Sequence, residues 1–184
     1  NITKGNELVF SYINSKDAYA KICLNEALLV YPYLIMNFEG NVKKTFNFIE
    51  HANYDFKKNH IHAYMATNLY LNHQNATKAL ELANGIEMTS AYLNIPFWHY
   101  EKGFAYFNQM KLDLAQKEFT YFISQFKGNF YIKDAYEKLS WIAYLQNNSK
   151  QAEFYRGEVI AKGSQITDAD KLAQQNAKSG LWPN

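Results

Sequence analysis

Cysteine, proline and glycine are all scarce in this 184-residue chain: one Cys, three Pro and eight Gly. The single thiol, Cys23, cannot form an internal disulfide. A chain of this length can bury a core that needs none, so cysteine usage leaves the compartment open. Scarce Pro and Gly disfavour disordered, collagen-like and loop-rich all-β chains. An excess of one charge is missing too, with 19 basic against 17 acidic residues and a net charge of +2. That balance gives no reason to expect a nucleic-acid or polyanion partner. The longest apolar run, Ala27 to Met36, is interrupted by Pro32, and it is far short of the roughly 18 to 20 residues of a membrane span. Asn1 is not an initiator Met; the chain is expected to be a processed form or an excised piece, exported, periplasmic or cytoplasmic.

What is abundant is aromatic: 15 Tyr, 13 Phe and 3 Trp, in a chain that is 48% hydrophobic. With so few helix breakers, long helices are expected. Two stretches run in parallel. Phe97 to Phe107 is followed by a polar turn at Gln109 to Lys111 and then Leu112, Ala115, Phe119, Phe122, Ile123 and Phe126, which share one helical face. Tyr136 to Leu145 is followed by Gln146-Asn147-Asn148 and then Ala152, Tyr155, Val159 and Ile160. Each reads as a helix-turn-helix hairpin. Gly103 and Ala115, like Ser140 and Ala152, stand 12 residues apart, the relation expected where small residues let two antiparallel axes approach. Thr67 with Ala79 extends the pattern, and Tyr33 with Thr45 does so more loosely.

The second members, Thr45, Ala79, Ala115 and Ala152, are separated by 34, 36 and 37 residues. This cadence resembles the tetratricopeptide repeat family, whose unit is about 34 residues in two antiparallel helices. Gly103 with Tyr106 and Ala115 with Phe119 fit its pattern well; Lys102 stands where Leu is usual, and the family's Pro near the repeat end is absent. The resemblance implies an all-α, right-handed α-solenoid of helix hairpins, with a non-repetitive helical bundle as the competing architecture. It implies an N-terminal helix at about 6–14, units at about 26–59, 60–95, 96–132 and 133–163, and a C-terminal capping helix at about 168–178. The Asn- and aromatic-rich texture also looks like repeat proteins of Bacteroidetes-type bacteria, many of them exported.

Local signals mark helix ends. Asn41, Asn75 and Asn148 precede the second helices as N-caps, Asn148 with Gln151 at capping-box spacing, and Thr167 opens the last helix. Gly128, Gly163 and Gly180 are expected as left-handed C-terminal residues, and Pro96 suits a first turn. Pro32, inside an expected helix, should kink it or start it.

Catalytic motifs are missing: no G-x-S-x-G, H-E-x-x-H, P-loop or G-x-G-x-x-G occurs. His60 and His62 point to different sides of a helix and have no ligand partners at zinc-site spacing, so surface or helix-end roles are expected. His99 reads as an interhelical packing residue and Cys23 as a buried structural thiol. Sequons at Asn1, Asn75 and Asn147 occur at the frequency chance gives in so Asn-rich a chain. No enzyme, metal or cofactor is expected.

In the family, the first helices line a concave groove. By register that face carries Tyr64, Asn68, Leu71 and Asn72; Tyr100, Phe104, Phe107 and Asn108; and Glu137, Trp141, Tyr144 and Leu145. The set has no Lys or Arg, unlike members that grip an acidic peptide terminus. An aromatic face with amide donors suits an extended peptide or an amphipathic helix. The leading expectation is therefore a non-enzymatic protein-interaction scaffold. The alternative is an envelope protein that stacks exposed Tyr and Trp on a glycan or small ligand. Oligomeric state is not set by the sequence.

Overall fold

The computed structural model describes residues 2–87 and 96–183 and is all-helical, with ten helices and no strand among the described residues. They are α1 (Ile2–Ile13), α2 (Leu24–Leu34), α3 (Val42–His51), α4 (His60–Asn72), α5 (Ala76–Gly85), α6 (Phe97–Asn108), α7 (Leu112–Gln125), α8 (Ile132–Leu145), α9 (Ser149–Ala161) and α10 (Asp168–Ser179). Helices pair as α4/α5, α6/α7 and α8/α9, with a looser α2/α3 pair. α5 and α7 also pack on the next first helix, and α2, α4, α6 and α8 touch in sequence. α1 lies on α2, and α10 closes over α8 and α9. The first helix begins earlier than its expected start near residue 6, and part of the expected 60–95 unit, residues 88–95, lies outside the described residues.

The turns explain why the chain reverses where it does. Asn41, Asn75 and Asn148 accept hydrogen bonds from the backbone N–H groups of Lys44, Lys78 and Gln151, at 2.9, 3.2 and 3.2 Å. Asn59 and Thr167 cap α4 and α10 in the same way. Immediately before the second helices, Gly40, Gln74, Met110 and Asn147 adopt left-handed backbone, with φ between 56° and 63°. In three of these turns the next N–H returns to the carbonyl five residues back: Asn75 to Tyr70, Lys111 to Tyr106 and Asn148 to Ala143. That bond satisfies a carbonyl the helix end would otherwise leave open.

The first turn differs. A π-helical stretch, Ile35–Glu39, extends α2, and Asn41 N–H reaches back six residues to Ile35. Pro32 sits inside α2 rather than at its start. Its missing N–H frees the Leu28 carbonyl four residues earlier. The Tyr54 hydroxyl, 26 residues on, donates to that same carbonyl at 2.7 Å.

The second-helix small positions found by register are fully buried in the packing. Thr45, Ala79, Ala115 and Ala152 are each 0% exposed. A Cβ on Gly103 would lie 2.9 Å from the Phe119 ring, so glycine is what lets α6 meet α7. Ser140 Oγ donates to the Ala152 carbonyl at 2.8 Å. One apolar cluster centres on Met65, Leu69, Tyr70 and Leu80, a second on Phe119, Phe122, Leu139 and Ile142, and Phe104 and Tyr106 pack against both.

Three local expectations are corrected. Cys23 is exposed, because α2 starts only at Leu24 and leaves the thiol at its N-cap. Gly128 does not end α7: the helix stops at Gln125 with Phe126 extended, and Gly128 instead makes room for the Phe126 ring, which a Cβ would meet at 2.5 Å. His60 and His62 are buried, not on the surface, although they do sit at the start of α4. Gly163 and Gly180 are left-handed as expected, with φ of 70° and 72°.

Candidate interaction surface

α4, α6 and α8 present the residues picked out by register, but at different depths. Tyr64, Asn68, Phe104, Phe107 and Trp141 are half-buried, while Asn72, Asn108 and Tyr144 are exposed. Asn72 donates to the Asn68 side-chain oxygen at 3.1 Å. Phe107 and Trp141 meet at 6.3 Å, so rings of the third and fourth hairpins form one continuous patch. Tyr100 and Glu137 are not surface groups: they are 6% and 3% exposed. Each is covered by a later part of the chain. The Tyr131 ring lies 5.0 Å from that of Tyr100, while α10 packs on α8 and Asn176 donates to Glu137 Oε1 at 2.8 Å.

Beneath the patch runs a connected ionic chain. The Tyr100 hydroxyl donates to Asp134 Oδ2 at 2.7 Å, and Lys138 Nζ lies 3.2 Å from Asp134 Oδ1 and 2.7 Å from Glu137 Oε2. Burial alone would lower the Lys138 pKa, but the two carboxylates outweigh it and hold the ammonium above its ordinary range. The same ammonium lies 4.1 Å above the Trp141 ring and 5.4 Å from Phe104. A cation therefore does reach this face, although the residues chosen by register include none.

Glu101 is the counterpart of Lys138 in the preceding hairpin, each standing two residues before the small packing position, Gly103 or Ser140. It is 3% exposed, and burial pushes its carboxyl up to about 7, opposed in part by a hydrogen bond from the Tyr64 hydroxyl. Tyr33 and Tyr131 flank it too: burial first, then the Glu101 charge, raises their phenols. Tyr64 is raised by the same two causes. Sequence register placed Tyr64 on this face and Tyr33 among the packing positions, but singled out none of Glu101, Tyr131 and Lys138. The signal for Glu101 and Lys138 was their shared offset from the small residues.

Two recesses adjoin these elements. A cleft of about 700 Å³ opens between α1, α2 and α3, with Leu28, Tyr31 and Ile35 as its floor and Phe10 and Phe48 at its sides. A recess of about 380 Å³ is walled by Tyr64, Phe97, Trp98, Phe130 and Tyr131, with His60 and Ile61 at its edge. At the far end, Trp182 stacks on Tyr144 at 4.7 Å and 9°, and Arg156 lies 5.2 Å from Trp182. These two rings cover one face of each other instead of lying side by side, so together they do not make the flat platform that sugar stacking needs. His99 bonds Glu118 at 2.6 Å and packs on Tyr121, a contact between α6 and α7.

No family model, curated protein or solved structure matches the chain. Among the described residues no helix is long and apolar enough to cross a membrane.

Proposed function

We propose that the chain is a right-handed, tetratricopeptide-like solenoid that works as a non-enzymatic scaffold, receiving a peptide or helix on the face formed by α4, α6 and α8. The observation that carries this reading is the recurrence of one device. Left-handed residues at positions 40, 74, 110 and 147 recur with the same 34-, 36- and 37-residue spacing as the fully buried Thr45, Ala79, Ala115 and Ala152. Repetition of turn and packing point together is what a stacked-hairpin architecture requires. Such an array offers a long face rather than a closed pocket, and here that face carries Phe104, Phe107 and Trp141 half-exposed around a fixed ammonium. Rings of this kind are suited to anchoring a partner's apolar side chains.

The test is selection of binding peptides from a random display library on the 184-residue chain, followed by affinity measurement on a Phe107→Ala, Trp141→Ala variant. The selected peptides are expected to bind the variant at least about tenfold more weakly, with the variant's helical circular dichroism retained. Peptides that bind the folded variant as tightly as the parent would overturn the groove as the docking face.

A further inference from the structure

We propose that the cleft between α1, α2 and α3 is a binding site for a slender, uncharged amphiphile: a straight alkyl or acyl chain ending in a hydroxyl, ester or amide. At about 700 Å³ it is the larger of the two recesses described above and falls in the size range of small-ligand sites. Its floor is one strip of α2, Leu24, Leu28, Tyr31 and Ile35, at spacings of 4, 3 and 4. Mostly apolar side chains therefore face it along about 16 Å of helix. Phe10 and Ile13 of α1 form one wall and Phe48 of α3 the other. Water against Leu28 and Ile35 finds no side-chain hydrogen-bond partner, and an alkyl chain that displaces it gains by the hydrophobic effect.

The shape of the cleft sets the width of its occupant. The rings of Phe10 and Phe48 meet across it at 6.4 Å between centroids, and both pack on Tyr31, at 5.7 and 4.7 Å. The two walls thus touch over the floor. Leu28, Tyr31 and Ile35 line the cleft and are nonetheless buried, so it narrows towards its base. A partner helix, roughly 10 Å across with its side chains, cannot lie along a channel bridged in this way. A single carbon chain needs only about 4 Å to each neighbouring carbon and can run beside the rings.

The polar groups at the edge select the head. Lys44 is bonded to Glu39 Oε2 at 2.8 Å, and Glu39 Oε1 takes the Asn6 side-chain N–H at 2.7 Å, so the ion pair at the Ile35 end is complete within the chain. An anionic head would find Lys44 already paired and Glu7 on the α1 wall. A cationic head would gain only an exposed pair with Glu7, which is worth little. At the Leu24 end the cleft is edged by Asn14, His51 and Asn53. Asn14 Nδ2 donates to the Phe10 carbonyl, which leaves the amide oxygen. His51 Nδ1 lies 2.8 Å from the Asn47 carbonyl, which only accepts, so Nε2 is the ring nitrogen left for a ligand. Groups of this kind suit a hydroxyl, ester or amide.

The probes are octan-1-ol, octanoate and octylammonium, titrated into the 184-residue chain, with detection by NMR shifts of Phe10, Leu28 and Phe48. Octan-1-ol is expected to bind most tightly, with octanoate at least about fivefold weaker. Asn47→Trp, at an exposed position on the α3 wall, puts an indole into the cleft. It should weaken octan-1-ol at least about tenfold with helical circular dichroism retained. Phe10→Ala, which removes part of the other wall, should weaken it about threefold or more, and it serves if the Asn47 variant does not fold. Absence of octan-1-ol binding, an ion that binds more tightly than the alcohol, or binding unchanged in the folded Asn47→Trp protein would overturn the proposal. Two other results would also overturn it by giving the cleft a different occupant. Sedimentation of the parent but not the variant with phosphatidylcholine vesicles would mark a bilayer surface, and concentration-dependent self-association lost in the variant would mark a second copy of the chain. None of these outcomes bears on the peptide selection at Phe107 and Trp141.

Discussion

The α2/α3 and α8/α9 pairs both turn through a left-handed residue followed by an Asn cap, yet they are held together in different ways. α2 and α3 are tied mainly at their edges, by the Tyr54 hydroxyl on the Leu28 carbonyl, His62 Nε2 at 2.8 Å from the Asn25 carbonyl and the Lys44–Glu39 ion pair at the turn, and an apolar cleft of about 700 Å³ opens beside them. α8 and α9 are locked by buried charges. Asp170 of α10, 0% exposed, accepts from the backbone N–H groups of Tyr131 and Lys133 at 2.7 and 3.1 Å and from the Thr167 hydroxyl at 2.6 Å. Lys133 in turn donates to the Val159 carbonyl at the C-terminal end of α9, at 2.7 Å. Negative charge at a helix start and positive charge at a helix end both complement the helix dipole. Small buried residues thus mark where helices meet, while residues particular to each pair decide how firmly. A π-helical insertion is accommodated where packing is loose; none occurs among the described residues of the tightly tied end.

Asp170→Ala tests this contrast most severely. It leaves buried N–H donors without an acceptor, and a loss of about 4 kcal/mol is expected in urea unfolding. A loss below about 1 kcal/mol would show that α10 is held by its apolar face, through Ala173 and Ala177, rather than by the charge.

Midway along the chain, Glu101 should make stability depend on pH. Its folded-state pKa, about 7, lies above the ordinary carboxylate value of 4.5. The folded protein therefore holds a proton that the unfolded chain has already lost between those two values. The consequence is that stability falls as pH rises from about 4.5 to about 7, by up to roughly 3 kcal/mol, and is level with respect to this group outside that window. Glu101→Gln should remove this component of the slope, as read from denaturation midpoints measured at about pH 5 and about pH 7.5. Because Glu39 and Asp168, whose carboxyls are lowered by hydrogen bonds from Lys44 and Lys171, act in the opposite sense at lower pH, the comparison with the variant is the decisive reading.

A smaller change is expected in the first hairpin. Tyr54→Phe should cost about 1 to 2 kcal/mol, because the Leu28 carbonyl loses its donor. In a Pro32→Ala background the backbone N–H restored at that position can take over, so the same Tyr54→Phe substitution should cost about 1 kcal/mol less there. A double-mutant cycle with no coupling would mean that the Tyr54 bond is unrelated to the proline.

Much of this architecture was legible because it is local or periodic. Asn41, Asn75 and Asn148 act within three residues of themselves, and the small positions recur at a nearly fixed interval. The depth of the candidate face was not legible. Tyr100 and Glu137 have the spacing of groove residues, and what buries them, Tyr131 with Asp134 in one case and α10 in the other, lies more than 30 residues further along the chain. Cys23 was misplaced for a simpler reason: an apolar stretch shows that a helix is near, whereas the absence of a capping side chain at its start hides where it begins.

The Asp170 tie also has a temporal side. Chains are made from the N-terminus, so the N–H groups at the start of α8 emerge well before the carboxylate that receives them, 36 to 39 residues downstream. Until α10 is synthesised, the fourth hairpin lacks its cap and Glu137 lacks Asn176. A ribosome stalled before Asp170 therefore carries a chain in which α8 and α9 have been made but their tie has not.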